Sequence, residues 1–240
     1  MLENICKWDI SNTLYNNIDA IVNENATLIA GRPGSGKSVL TSGMMFRLTG
    51  YDPSYVHVII FDLKRVEMAR WEDFPHVTGV VTEPEDVNPM LDRIIDRMEC
   101  RYKDMKKRRL LQSDHRFIYV IIDELAQVLR VKGAEERIDQ LLRLARAANI
   151  RLVMATQNPS RQNIPACIQQ NVACAVGLRC RNAIESRQII GVKGCETLPR
   201  YGKAYVETAD GLFLIDIPMV TDEEIQEQLD YWQTGRRYYA

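Results

Sequence analysis

The sequence predicts an α/β fold in which one mostly parallel central sheet is flanked by helices on both faces. Three observations carry that expectation. Short β-branched apolar runs alternate with longer segments of helical period. Several runs are apolar at consecutive positions, as strands covered on both faces must be. A phosphate-loop pattern falls where the first run gives way to a helix.

The strands follow from composition and punctuation. Runs at 26–30, 56–62, 117–123, 151–156 and 174–178 are dominated by Val, Ile, Leu, Ala and Phe, and a closing pair is expected near 203–207 and 212–217. A helix follows the loop at 31–38, and a longer one spans 85–111, where Val87, Leu91, Ile94, Ile95 and Met98 recur at steps of three and four. Further helices are predicted over 134–148, 165–171 and 183–190. Thr221, followed by three acids before Ile225, reads as the capped start of a C-terminal helix. The resulting organisation is a lead-in at 1–25 and one domain at 26–240, without repeat, low-complexity tract or linker.

Composition narrows the function classes. The chain of 240 residues is 46% hydrophobic and 26% charged, so it can bury a core and does not read as disordered. A formal net charge of −1 supplies no global cationic field, so any contact with a polyanion must be local. The six cysteines form no CxxC pair and have no histidine placed to complete a zinc site, and they read as buried reduced thiols of a cytoplasmic protein. The first ten residues lack the basic start and apolar core of a signal peptide, and no apolar run is long enough to span a bilayer. Direct membrane insertion is therefore not expected, and membrane recruitment would need a separate tether.

Gly31-Arg32-Pro33-Gly34-Ser35-Gly36-Lys37-Ser38 fits GxxxxGK[ST] in its confirming context, after an apolar strand and before a helix. Glycines let successive backbone N–H groups turn onto phosphates, and the helix adds its positive end. Lys37 is expected at the β and γ phosphates of ATP and Ser38 on Mg2+, and the binding set extends through Val39. The strand FIYVII ends in Asp123 and Glu124. On a central parallel strand these face the ligand crevice, Asp123 toward Mg2+ and Glu124 toward an attacking water.

Other candidates are less constrained. Gln157, at the tip of the neighbouring strand, is either a γ-phosphate sensor or a plain strand-end polar residue. Arg143 and Arg146 share a helix face, as a pair of solvated side chains or as a source of the guanidinium that stabilises transition-state charge on an adjacent subunit's nucleotide. Basic residues cluster at Arg101, Lys103, Lys106, Lys107, Arg108, Arg109 and Arg116, and again at Arg179, Arg181 and Arg187, where a solvated face competes with nucleic-acid contact.

Taken together these residues resemble the motor domain of the FtsK/SpoIIIE family of DNA translocases over roughly residues 26–233. The resemblance rests on FDLKRVEMARWEDFPHV at 61–77, MECRYKDM at 98–105, IIDELAQVL at 121–129, LARAANIRLVMATQNPS at 144–160 and IESRQIIG at 184–191. It implies a RecA-like fold, a hexameric homo-oligomer around double-stranded DNA, and ATP hydrolysis at subunit interfaces. By position, Arg146 falls where the family places its trans-acting arginine, with Arg143 as runner-up. Arg187 and Arg181 fall in the segment that touches DNA phosphates, although family motors often carry a lysine where this chain has Ala183. Membrane spans, an extra subdomain and a winged helix of longer members are not seen, so the expectation is a minimal motor or an excised part of a longer one. A protein-secretion ATPase of similar fold and a P-loop phosphotransferase are the competing readings.

Overall fold

The computed structural model describes residues 13–157 and 164–234. Eight strands form one sheet: β1 (Ala26–Ala30), β2 (Val56–Phe61), β3 (Val77–Val81), β4 (Phe117–Ile122), β5 (Ile150–Thr156), β6 (Cys174–Gly177), β7 (Lys203–Thr208) and β8 (Gly211–Asp216), in the order β3-β2-β4-β5-β1-β6-β7-β8. Strands β3 through β6 in that order pair in parallel, and antiparallel β7 and β8 close one edge. The expected mostly parallel α/β sheet is therefore present.

Alternation along β4 shows how both faces become core. Tyr119 and Ile121 join Val58, Ile60, Val153 and Ala155 on one face. Ile118, Val120 and Ile122 join Leu28, Leu152 and Met154 on the other. The first face is covered by α1 (Thr13–Val22), α2 (Lys37–Thr49) and α8 (Asp222–Thr234), the second by α3 (Pro84–Arg108), α5 (Ala134–Leu144) and α6 (Ala166–Asn171). Each large aliphatic side chain so buried contributes on the order of 1.5–3 kcal/mol. Two short helices remain, α4 (Leu125–Val128) just after the acidic pair and α7 (Ala183–Ile190) after β6.

Differences from the sequence reading have local causes. Strand β3 was not expected, because VTGVV is short and broken by Gly79. A Cβ at Gly79 would lie 2.9 Å from Met90 Cε, the flexible tip of a side chain that can shift, and the register with β2 shifts at Val58/Ile59. The expected helix at 134–148 divides into α5 and a 3₁₀ turn, Ala145–Ala148, closed by Asn149 at φ 54°. Helix α3 ends at Arg108 rather than residue 111, with Arg109 left-handed at φ 57°. Within the expected lead-in, α1 buries Ile18, Ile21 and Val22 in the core shared with α2. Of the described cysteines, Cys174, Cys180 and Cys195 are buried, but Cys167 is only half-buried and Cys100 is exposed on α3, which corrects the uniform burial expected. Cys6 and residues 158–160 of the ATQNPS stretch lie outside the described residues. No described helix is long and apolar enough to cross a membrane.

Candidate nucleotide site

The chain leaves β1 and crosses past β5 and β4 to reach β2, while the chain leaving β5 crosses β1 to reach β6. Divergent crossovers open a crevice at the carboxyl ends of β1, β4 and β5, where ligands of open α/β sheets bind. Phosphate-loop residues occupy one wall. Gly31 N donates to Thr156 O at 3.4 Å and Arg32 N to Arg179 O at 3.1 Å, tying the loop to the ends of β5 and β6.

The loop backbone requires its glycines. Gly34 and Gly36 have φ of 70° and 96°, and a Cβ on Gly31 would lie 2.6 Å from Ser35 Oγ and 2.7 Å from Leu178 Cβ. Gly36 is the N-cap of α2, and no side chain caps that end, so the first N–H groups of Lys37, Ser38 and Val39 stay available to an anion. Lys37 arches back over the loop, its ammonium donating to Gly31 O at 2.8 Å and Arg32 O at 3.2 Å. Burial lowers its pKa, and the field of Glu124 opposes that shift. Pro33 and Gly34 are exposed at the loop tip, and Ser38 and Val39 are exposed on the first turn of α2.

Asp123 and Glu124 form the facing wall, each side chain about 10% exposed or less. Glu124 Oε1 accepts from Thr156 Oγ1 at 3.0 Å and from Gln157 N at 3.3 Å. Lys64 Nζ sits 3.4 Å from Glu124 Oε2 and 3.5 Å from Asp123 Oδ2. At that range it is an ion pair with Asp123 rather than a hydrogen bond, and Asp123 Oδ2 is buried with no hydrogen-bond partner. Burial raises the Asp123 pKa, with Lys64 pulling the other way. Burial alone would lower Lys64, yet the two carboxylates prevail and hold its pKa above the ordinary value.

Lys64 is placed by Asp62, the last residue of the FD step from β2. Asp62 Oδ1 accepts from Lys64 N and Arg65 N, and Oδ2 accepts from the N–H groups of Val66, Glu67 and Met68, all at 3.0–3.1 Å. One carboxylate thus folds the whole turn and aims Lys64 at the acid pair. Glu67, on the same turn, has a buried Oε2 without a partner, and burial followed by the charge of Asp123 raises its pKa.

Sequence reasoning missed Asp62, Lys64, Glu67 and Thr156. The stretch 61–77 stood out as a family pattern, yet nothing in spacing alone brings Lys64 to residues sixty positions away. The contact that Gln157 makes with Glu124 comes from its backbone N–H, which any residue supplies. Arg200 was missed too: its guanidinium lies 3.8 Å from where a Cβ on Gly34 would stand.

The donor set fits a divalent cation. A buried, partnerless carboxylate oxygen on Asp123, with Ser38 across the crevice wall on α2, is hard-oxygen chemistry suited to Mg2+, and the Lys64 ammonium already marks a place where positive charge is stabilised. Inward amides and an uncapped helix end likewise fit the phosphates of ATP.

The remaining candidates lie elsewhere. Arg146 is exposed in the 3₁₀ turn that enters β5, at the amino end of the sheet, so it is separated from its own phosphate loop by the length of β5. It forms no ion pair with a described carboxylate, whereas Arg143 is held by Asp139 at 3.0 Å. Arg181 and Arg187 are exposed on and before α7, at the same end of the sheet as the phosphate loop. Arg181 lies 3.9 Å from Glu185.

Comparison with known proteins agrees with this geometry. Residues 8–116 match the FtsK/SpoIIIE family model. The DNA translocase FtsK of Tropheryma whipplei is 32% identical over 237 residues, covering 85% of this chain and 31% of the relative. The DNA translocase FtsK of Leptospira interrogans serovar copenhageni is 33% identical over 223 residues, covering 83% of this chain and 24% of the relative. The chain thus spans a third or less of the length of these relatives. Among solved structures, the pCW3 conjugation coupling protein TcpA with ATPγS superposes with a TM-score of 0.76 at 20% identity, over 90% of this chain and 66% of that one. The cytoplasmic domain of the Type VII secretion ATPase EccC of Thermomonospora curvata gives 0.73 at 22% identity, over 90% and 28%. The family resemblance read from the sequence is borne out, and the structural neighbours share the fold.

Proposed function

We propose that this chain, which carries the FtsK/SpoIIIE sequence pattern, is the ATP-hydrolysing motor of a double-stranded DNA translocase. One observation carries the reading: the uncapped phosphate loop and the Asp123–Glu124 pair open into one crevice, while Arg146, in no ion pair with a described carboxylate, stands at the opposite end of the sheet. The first half of that arrangement supports hydrolysis, and the second supports a ring in which one protomer completes the site of the next.

In this reading the loop amides and Lys37 hold the β and γ phosphates. Ser38 and Asp123 would hold Mg2+, which would supply neutralisation of charge at the phosphate oxygens. Glu124, fixed through Oε1 by Thr156 and the Gln157 N–H and paired through Oε2 with Lys64, accepts a proton from water. The water oxygen bonds to the γ phosphorus as the bond to the β–γ bridging oxygen breaks, and ADP leaves with that oxygen. Arg146 of a neighbouring protomer stabilises the charge in transit, which makes a homo-hexamer the functional unit. Arg181 and Arg187 grip duplex phosphates in the pore, their segment tied to the loop through the Arg32–Arg179 backbone bond. The motor is cytoplasmic, reaching a membrane only by a tether.

DNA is preferred to a protein cargo because the relatives near one-third identity are named DNA translocases, whereas the secretion ATPases share the fold alone. The test is ATP turnover against protein concentration and added duplex. Turnover per protomer should rise with both. Turnover that ignores duplex while remaining concentration-dependent would turn the assignment toward protein transport, and absence of ATP turnover under every condition would end it.

A further inference from the structure

A second charged site lies at the other end of the sheet. Arg101, singled out as part of a basic run, is not a solvated surface charge: it is 5% exposed beneath α3. One other member of that run is neutralised, Arg108 by Asp104 and Asp114. The arginines that turn under α3 are not.

Arg93, Arg97 and Arg101 fall at four-residue steps and so stack on one face of α3. Like charges at that spacing repel and destabilise a helix. They face the amino ends of β2 and β4, from which His57 and Arg116 complete the lining of a cavity of about 300 Å3. Arg116 Nη1 lies 2.7 Å from His57 Nε2, so the imidazole accepts and is neutral, its pKa lowered by burial and then by Arg116, Arg97 and Arg101. Arg101 is itself pulled down to about 10, by burial and by Arg97 and Arg116. Its Nη1 is held by the carbonyls of Ala148 and Asn149, and its Nε and Nη2 hydrogen-bond no described residue. The cavity is lined by no carboxylate, and none of the four arginines pairs with a carboxylate among the described residues.

Of the four guanidiniums around the cavity only Arg101 is buried, while Arg93, Arg97 and Arg116 are exposed and hydrated, and the mutual repulsion of the four would be relieved by an anion entering between them. A planar fork binds carboxylate and phosphate alike, but several forks around one space can engage more oxygens on a phosphate than the two a carboxylate offers. We propose that the cavity between α3 and the amino ends of β2 and β4 binds a multivalent phosphate-class oxyanion, through Arg93, Arg97, Arg101 and Arg116. The anion is either a free phosphoanion or the backbone phosphate of a nucleic acid. The site is remote from the phosphate loop and does not depend on the nucleotide assignment.

The test uses the full chain with its phosphate loop saturated by ADP and Mg2+, and follows the ring signals of His57 and His76 by NMR. Addition of inorganic pyrophosphate should move the His57 signal saturably and leave buried His76 in place. Arg97→Glu and Arg116→Glu, both at exposed positions, should each weaken that binding about tenfold or more. Arg97→Gln should weaken it less, while thermal unfolding confirms that the variants remain folded. If pyrophosphate leaves His57 unmoved but the two charge reversals weaken binding of a short DNA duplex by the same factor, the phosphate comes from nucleic acid and the assignment stands. If His57 does not respond and duplex binding is unchanged in both variants, the assignment is overturned.

Discussion

The two ends of the sheet handle charge in opposite ways. At the carboxyl ends, negative charge is concentrated but matched: Asp123 and Glu124 share Lys64, Glu124 takes two further donors, and Lys37 rests on loop carbonyls. At the amino ends, Arg93, Arg97, Arg101 and Arg116 gather with no carboxylate among them. The first arrangement is poised, since Asp123, Glu124, Lys64 and Lys37 each have a partner that an incoming charged group could replace. The second is incomplete, since its charges are held close together with only neutral partners, His57 and backbone carbonyls, and no counter-charge among the described residues.

The contrast is most severely tested at Glu124. Glu124→Gln keeps the size and the acceptor for Thr156 but cannot take a proton, so ATP turnover should fall by about 10²–10⁴-fold while nucleotide affinity is kept. Steady-state hydrolysis beside fluorescent-nucleotide binding separates the two. Equal loss of both would mean that Glu124 holds the site together rather than acting on water.

A smaller effect is expected one shell out. Asp62→Ala removes the acceptor for five backbone N–H groups, only some of them buried, and should lower stability by about 3 kcal/mol in urea unfolding. It should also cut turnover, because Lys64 and Glu67 lose their placement. Asp62→Asn keeps an acceptor for the Lys64 and Arg65 amides but turns an NH2 toward the other three, so it should rescue stability only in part. A variant of full stability and full activity would show that the turn holds itself.

The smallest and most general effect concerns a histidine that belongs to neither end. His76 is fully buried, its Nε2–H donating to Tyr51 O at 2.7 Å, its ring edge-on to Trp232, and its pKa lowered from 6.5 to about 4, chiefly by burial. The folded state therefore binds fewer protons than the unfolded state between those values. Stability is unaffected by this group above pH 6.5 and is lost as pH falls toward 4, by about 3 kcal/mol at most. His76→Gln, which keeps a donor for Tyr51, should flatten that part of the stability profile. An unchanged acid limb would assign the effect to other groups.

How much of this was readable in the sequence follows from how local each feature is. The phosphate loop is eight consecutive residues between a strand and a helix, and the acid pair ends a strand that is apolar throughout, so the place of both in the fold was legible. The unbroken apolar run of β4 and the spacing of apolar residues in α3 made the layers legible as well. Strand β3 was not, because an edge strand with a central glycine lacks the apolar run that marks its neighbours. Nor was Lys64, whose partners come from β4, or the arginine cavity, whose lining is drawn from β2, α3 and the approach to β4. Those placements are products of strand order, and strand order is not written in any window of sequence.

The account rests most on the claim that Arg146 serves a neighbour's nucleotide rather than its own. Arg146→Ala and Glu124→Gln should each be nearly inactive in ATP turnover alone. Mixed in equal amounts and allowed to exchange protomers, they should recover a substantial fraction of wild-type turnover, because an intact Glu124 on one protomer meets an intact Arg146 from the next. A mixture no more active than its two components, under conditions where protomer exchange is verified, would contradict the account.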